Sequence, residues 1–191
     1  MRKIFVLFLL LLSISFLQLT YSQKFLSLKA ASLVHPDSVE YVKISRQKLT
    51  ELPKEIWKYK NLKGLDISKN RLKTIPDSIN EFKQLEFLNL RKNRLTIFPK
   101  AIYGLQDLKK LNLSSNFIGE IPDSISLCAD LQAIDLYNNP ISDLGNGLTS
   151  LKNLELIDLR GIMMNSKKQK EISKEYPGVQ ILFDAPCNCV D

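Results

Sequence analysis

The sequence predicts an α/β solenoid, with a parallel sheet along one face of the coil and short helices or 3-10 turns along the other. Three observations carry this. Leu52-Pro53, Ile75-Pro76, Phe98-Pro99 and Ile121-Pro122 recur every 23 residues, and Leu144-Gly145 continues the series. Behind each pair, apolar residues hold a fixed register: Ile75, Ile79, Phe82, Leu85, Leu88, Leu90 and Leu95 in one unit, then Phe98, Ile102, Leu105, Leu108, Leu111, Leu113 and Ile118 in the next. Asn70, Asn93, Asn116 and Asn139 fall at one place in successive units. Self-similarity at a fixed period marks stacked units, none of which buries an apolar face alone.

Within a unit, Leu88 and Leu90 alternate with Phe87, Asn89 and Arg91, the period of a strand. Ile79, Phe82 and Leu85 are spaced by three, which suits a short helix or 3-10 turn with one face inward. The prolines lack an N–H and fit the extended approach to that turn. Every unit enters and leaves in the same sense, so the strands are parallel. Strands stack at ~4.8 Å and the bulkier return segments need more room, so the coil curves with its sheet on the concave side.

The string Leu-x-x-Leu-x-Leu-x-x-Asn-x-Leu at Leu62–Leu72, Leu85–Leu95 and, ending in Ile, Leu108–Ile118 resembles the leucine-rich repeat family. The 23-residue unit is similar to the "typical", Ras-suppressor-like class and to bacterial-type secreted repeat proteins. The resemblance runs from about Leu28 to Asp184 and implies a right-handed horseshoe that acts as a binding module. A column of amide side chains suits a structural role, because an Asn offers donors and an acceptor to backbone groups leaving the strands. Gln47 and Ile162 break the column at its ends, as terminal units do.

The ends divide as follows. Residues 1–22 read as a secretory signal peptide: Arg2 and Lys3, an apolar run from Ile4, then Thr20-Tyr21-Ser22 before a cut at Gln23. The run is short for a membrane span, the rival reading being an uncleaved anchor. Residues 23–38 are an N-terminal cap helix and connector, with Phe25, Leu28, Ala31 and Leu33 on one face. Residues 39–166 are the repeats, the first degenerate. Residues 167–191 hold a C-terminal cap helix to Tyr176, a closing strand Val179–Phe183 and a tail with Cys187 and Cys189. The two cysteines fit a mutual bond, a link between chains, or free thiols, and spacing leaves these open. Cys128 falls in an inward column with Tyr59, Phe82, Leu105 and Leu151, as a small buried hydrophobe.

Composition argues against common enzyme chemistry. His35 is the only histidine, so no multi-histidine metal site exists, and no catalytic constellation or cofactor motif is visible. Neither a cofactor nor a metal is expected. Losing Arg2 and Lys3 takes 27 basic residues to 25 against 20 acidic, and the formal charge from +7 to +5. That is mildly basic and does not point to nucleic acid.

Alternation names the exposed side of the sheet. The expected protein-partner surface is Tyr41, Lys43, Asp66, Phe87, Asn89, Arg91, Asp135, Tyr137 and Arg160, since aromatic and Arg side chains on a rigid platform are typical interface anchors. A second surface, Arg46, Lys48, Lys69, Arg71, Lys92 and Arg94, forms a basic stripe on one rim and suits an anionic glycan or envelope polymer. The plain alternative for the stripe is solvation. These features imply an exported module, secreted, periplasmic or loosely surface-bound, with no membrane span once the signal is cut.

Overall fold

The computed structural model describes residues 25–187. The expected signal peptide and Cys189 lie outside them. One open sheet of eight parallel strands runs in strict chain order: β1 (Leu26–Ser27), β2 (Tyr41–Lys43), β3 (Gly64–Asp66), β4 (Phe87–Asn89), β5 (Lys110–Asn112), β6 (Ala133–Asp135), β7 (Leu156–Asp158) and β8 (Gln180–Leu182). From β2 to β7 the register matches the sequence period: Val42, Leu65, Leu88, Leu111, Ile134 and Ile157 stand side by side.

The return segments are 3-10 turns, at Lys54–Lys58, Asp77–Glu81, Lys100–Gly104, Asp123–Leu127 and Gly147–Ser150. The first four follow the periodic proline, whose fixed φ near −70° suits the approach. Gly145 replaces it in the fifth, where φ is +57° and a Cβ would meet the Ile121 carbonyl at 2.4 Å. Each coil sends the leucines of its strand and the middle residue of its turn into one continuous core, including Ile56, Leu65, Ile79, Leu88, Ile102 and Leu111. The core is therefore a row, and each coil buries its apolar face only against its neighbours.

The Asn column does the expected work. The Asn93 Nδ2 donates to the Leu90 carbonyl of its own coil at 2.9 Å and to Ile67 of the preceding coil at 3.1 Å, while Oδ1 accepts the Leu72 N–H at 3.1 Å. Asn70, Asn116 and Asn139 repeat this pattern, all buried.

The N-terminal cap differs from the expected helix. Leu26 and Ser27 form an edge strand pairing with Val42 and Lys43, and the α-helix α1 is only Leu28–Ala31. Ser27 ends the strand and caps the helix, accepting the Ala30 N–H at 3.1 Å. The backbone of β2 needs partners on its outer side, and that requirement overrides the three-residue apolar spacing. Leu33 consequently stands 80% exposed. At the other end α2 (Ser166–Glu175) is capped by Asn165 and turns Ile172 inward, and β8 closes the sheet. Trp57 half-covers the convex side, stacked on Phe82 at 5.3 Å.

Candidate partner-binding surface

Along the concave face, Asp66, Asn89, Asn112, Asp135 and Asp158 stand in one column. Each turns a side-chain oxygen back onto the N–H two residues on, at Ser68, Arg91, Ser114, Tyr137 and Arg160, over 2.9–3.1 Å. This second polar column was not expected. In Asp66, Asn89 and Asp135, expected as partner contacts, one oxygen of each thus holds the strand exit. Asp66 is buried as well, and Lys43 reaches it at 3.1 Å. Asn112 also donates to Asp135 at 2.7 Å, and Ser114 beside it is buried.

The aromatic residues of the N-terminal half pack together instead of standing separately. Phe25 meets Tyr41 at 5.5 Å and Phe87 at 5.9 Å, both edge-on. Gly64 makes room between them, since a Cβ there would lie 2.5 Å from Tyr41 Cδ1 and 3.2 Å from Phe25 Cζ. The three rings are half-buried and form one apolar pad on the concave side. Arg91 lies beyond it, half-buried, with Nε unpartnered.

Towards the C-terminus the face becomes acidic. Arg160 is held by its neighbour, Nε to Asp158 Oδ1 at 3.0 Å and a terminal nitrogen to Oδ2 at 2.6 Å. Burial pushes the Asp135 carboxyl above the ordinary range, with Asp158 adding to the effect. Tyr137 is exposed.

The two rims of the sheet differ. Where strands enter, Lys63 pairs with Glu40 at 2.7 Å and Lys109 with Glu86 at 3.1 Å, one coil to the next. Where strands leave, Arg46, Lys48, Lys69, Arg71, Lys92 and Arg94 stack over three coils, and among the described residues none of them reaches a carboxylate. Arg46, Lys48, Lys69 and Lys92 adopt φ between +54° and +62°. Crowding by Arg46 above all, then partial desolvation, Arg91, Lys92 and Lys43, lowers the Lys69 pKa.

The next three coils of this rim change chemistry. Phe117, Pro140 and Met163 occupy the register of Lys48, Arg71 and Arg94, and with Ile162 and others they line a groove of about 530 Å³. Phe117 is 59% exposed and Met163 84%. The sequence carries this switch in plain register; single apolar residues in a polar loop column do not stand out until the coils are stacked.

Cys128 is a free, fully buried thiol whose pKa burial pushes up to about 12, so it is inert packing. Cys187 is disulfide-bonded. Among the described residues there is no cluster of three metal-ligating side chains, and no helix is long and apolar enough to cross a membrane.

A family model for the leucine rich repeat matches residues 37–95, and one for two copies of the repeat matches residues 83–127. A solved leucine-rich repeat protein of Leptospira interrogans is similar over 78% of this chain, with a TM-score of 0.63 and 24% identity. The chain spans 44% of that protein's length, and the likeness is one of fold. No curated protein matches. The repeat models, set on a 23-residue register seen in both sequence and sheet, support a leucine-rich repeat family for the chain.

Proposed function

We propose that this chain is an exported, non-enzymatic module that holds a protein partner on the concave face of its sheet. Leucine-rich repeats indicate a protein-binding scaffold. The observation that carries the finer reading is the Phe25–Tyr41–Phe87 pad: three rings gathered on a rigid sheet face that the described residues leave open. Aromatic anchors already held by neighbours lose little entropy on binding. Arg91 and exposed Tyr137 extend the surface along the strands. Export rests on the basic, apolar and small-residue sequence of residues 1–22.

The test is capture of a partner from extracellular or envelope fractions by the wild-type chain and by a Tyr41→Ala, Phe87→Ala, Arg91→Ala, Tyr137→Ala variant. Loss of capture with the melting transition retained supports the concave site; undiminished capture moves the site elsewhere. A second reading, an anionic polymer on the basic rim, is favoured by the uncompensated stack around Lys69. Its binding falls steeply between 0.05 and about 0.5 M salt, as contacts among exposed charges do, whereas aromatic-anchored binding falls modestly.

A further inference from the structure

We propose that the strand-exit rim is a docking track for an extended acidic peptide segment of the partner, seated at one end by an apolar side chain. This rests on the protein-binding reading above and adds the chemistry of the ligand. The basic half of the track, Arg46 to Arg94, meets no carboxylate among the described residues, although the opposite rim shows that this chain pairs stacked charges coil to coil. Four of its six cations, Arg46, Lys48, Lys69 and Lys92, also occupy costly positions. A left-handed backbone is unfavourable by roughly 1–2 kcal/mol for a residue with a Cβ, and glycine or asparagine is the usual occupant. Coils further along put Ser115, Asn138 and Gly161 at the same place, while Arg46, Lys69 and Lys92 put long cationic side chains there. Strain kept at specific positions is a pointer to function.

The apolar half fixes the kind of anion. Phe117, Pro140 and Met163 continue the column of Lys48, Arg71 and Arg94 without a break and help line an open groove of about 530 Å³. A sulfated or phosphorylated polymer would use the cations and leave Phe117 and Met163 in water. A peptide carries both chemistries on one strand. Six stacked coils span about 24 Å at the sheet spacing, which about seven extended residues cover. The segment therefore places its Asp or Glu residues three or four positions from a Leu, Met or aromatic residue.

The experiment selects random twelve-residue peptides displayed on phage against the folded chain and measures the enriched sequences, fluorescein-labelled, by polarisation. The expected binders combine an acidic run with an apolar residue at that spacing. Binding falls about tenfold or more in Arg71→Glu/Arg94→Glu and, independently, in Phe117→Ser/Met163→Ser, as for central anchors. These four positions are exposed and free of positive φ, and Arg71→Gln/Arg94→Gln with melting curves guards against misfolding. Peptides without an acidic run, binders insensitive to either rim pair, or no binders at all overturn the proposal. So does binding of dextran sulfate or phosphatidylglycerol vesicles that matches the peptides and ignores the Phe117/Met163 change. Peptides lost only in Phe87→Ala would sink the rim track and leave the concave site standing. Peptide binding on the rim, with partner capture untouched by the concave variant, would do the reverse.

Discussion

The two rims of this sheet solve one problem by different means. On the entry side a single carbonyl serves two N–H groups: the Glu40 oxygen accepts from Lys63 and Gly64, Lys63 from Glu86 and Phe87, Glu86 from Lys109 and Lys110, and so on to Gln132. The backbone closes itself, and the side chains are left to pair in charge. On the exit side the chain turns sharply, and the backbone is satisfied by two side-chain columns, the buried asparagines and the Asp/Asn residues that bond two positions on. It also passes through a left-handed residue in every coil from Arg46 to Gly161. One rim is held by geometry any sequence can supply, while the other depends on particular residues. The rim that depends on particular residues is also the one whose surface chemistry varies along the coil.

The largest effect should come from removing the exit rim's internal partner. Asn93→Ala leaves the Leu72 N–H and the Ile67 and Leu90 carbonyls short of a bond in a buried setting. We expect a loss of about 2–4 kcal/mol in urea unfolding, because each orphaned buried group costs its desolvation. Glu86→Ala on the entry rim should cost less than about 1 kcal/mol, as for an exposed pair. Equal costs would mean that the exit turn does not depend on its amides.

A smaller effect of opposite sign should come from relieving the left-handed backbone. Lys92→Gly should stabilise the chain by about 1 kcal/mol, since φ is +54° and glycine adopts it without a Cβ clash. Asn138→Gly should change stability by less than about 0.5 kcal/mol, because asparagine already tolerates that conformation. Matched urea transitions of the two variants measure the difference. If Lys92→Gly destabilises, the strain is illusory and the cation contributes to folding.

Much of this was legible in the sequence. The period, strand register and Asn column follow from apolar spacing and an amide's bonding capacity. The Asp/Asn column was not legible, because a polar residue at an outward strand position reads as solvated until its oxygen is seen to reach the second N–H ahead. The left-handed sites were hidden for a related reason: Arg46, Lys69 and Lys92 carry none of the glycine or asparagine signal that marks such turns. At the N-terminus, helical spacing from Phe25 to Leu33 competed with the open edge of β2, and backbone pairing took Leu26 and Ser27. The aromatic pad was half visible: Tyr41 and Phe87 could be assigned to the concave face, but Phe25 joins them only because that segment is a strand. Whether these outward-facing residues bind a partner is a matter for the variants above.

The smallest effects concern charge, and their signs separate the rims. Glu86→Lys breaks the pair with Lys109 and places a third cation beside Lys63, so it should destabilise by about 0.5–1 kcal/mol at low salt. Lys69→Glu places an anion between Arg46 and Lys92 and should stabilise. Both changes should shrink in 0.5 M NaCl, where exposed charges are screened over a few ångströms. Alkaline titration adds an independent sign. The Lys63 pKa is raised, chiefly by its hydrogen bond to Glu40, so its contribution is present below the ordinary lysine value and is lost as pH climbs through the folded value. The Lys69 pKa is lowered, so between the folded and unfolded values the unfolded chain holds more protons and stability rises with pH. Glu40→Gln should therefore flatten the alkaline loss of stability, and Arg46→Gln should flatten the gain. If Arg46→Gln leaves the alkaline profile unchanged while Glu40→Gln alters it, the exit-rim cations are too well solvated to feel one another, and the contrast between the rims reduces to the backbone alone.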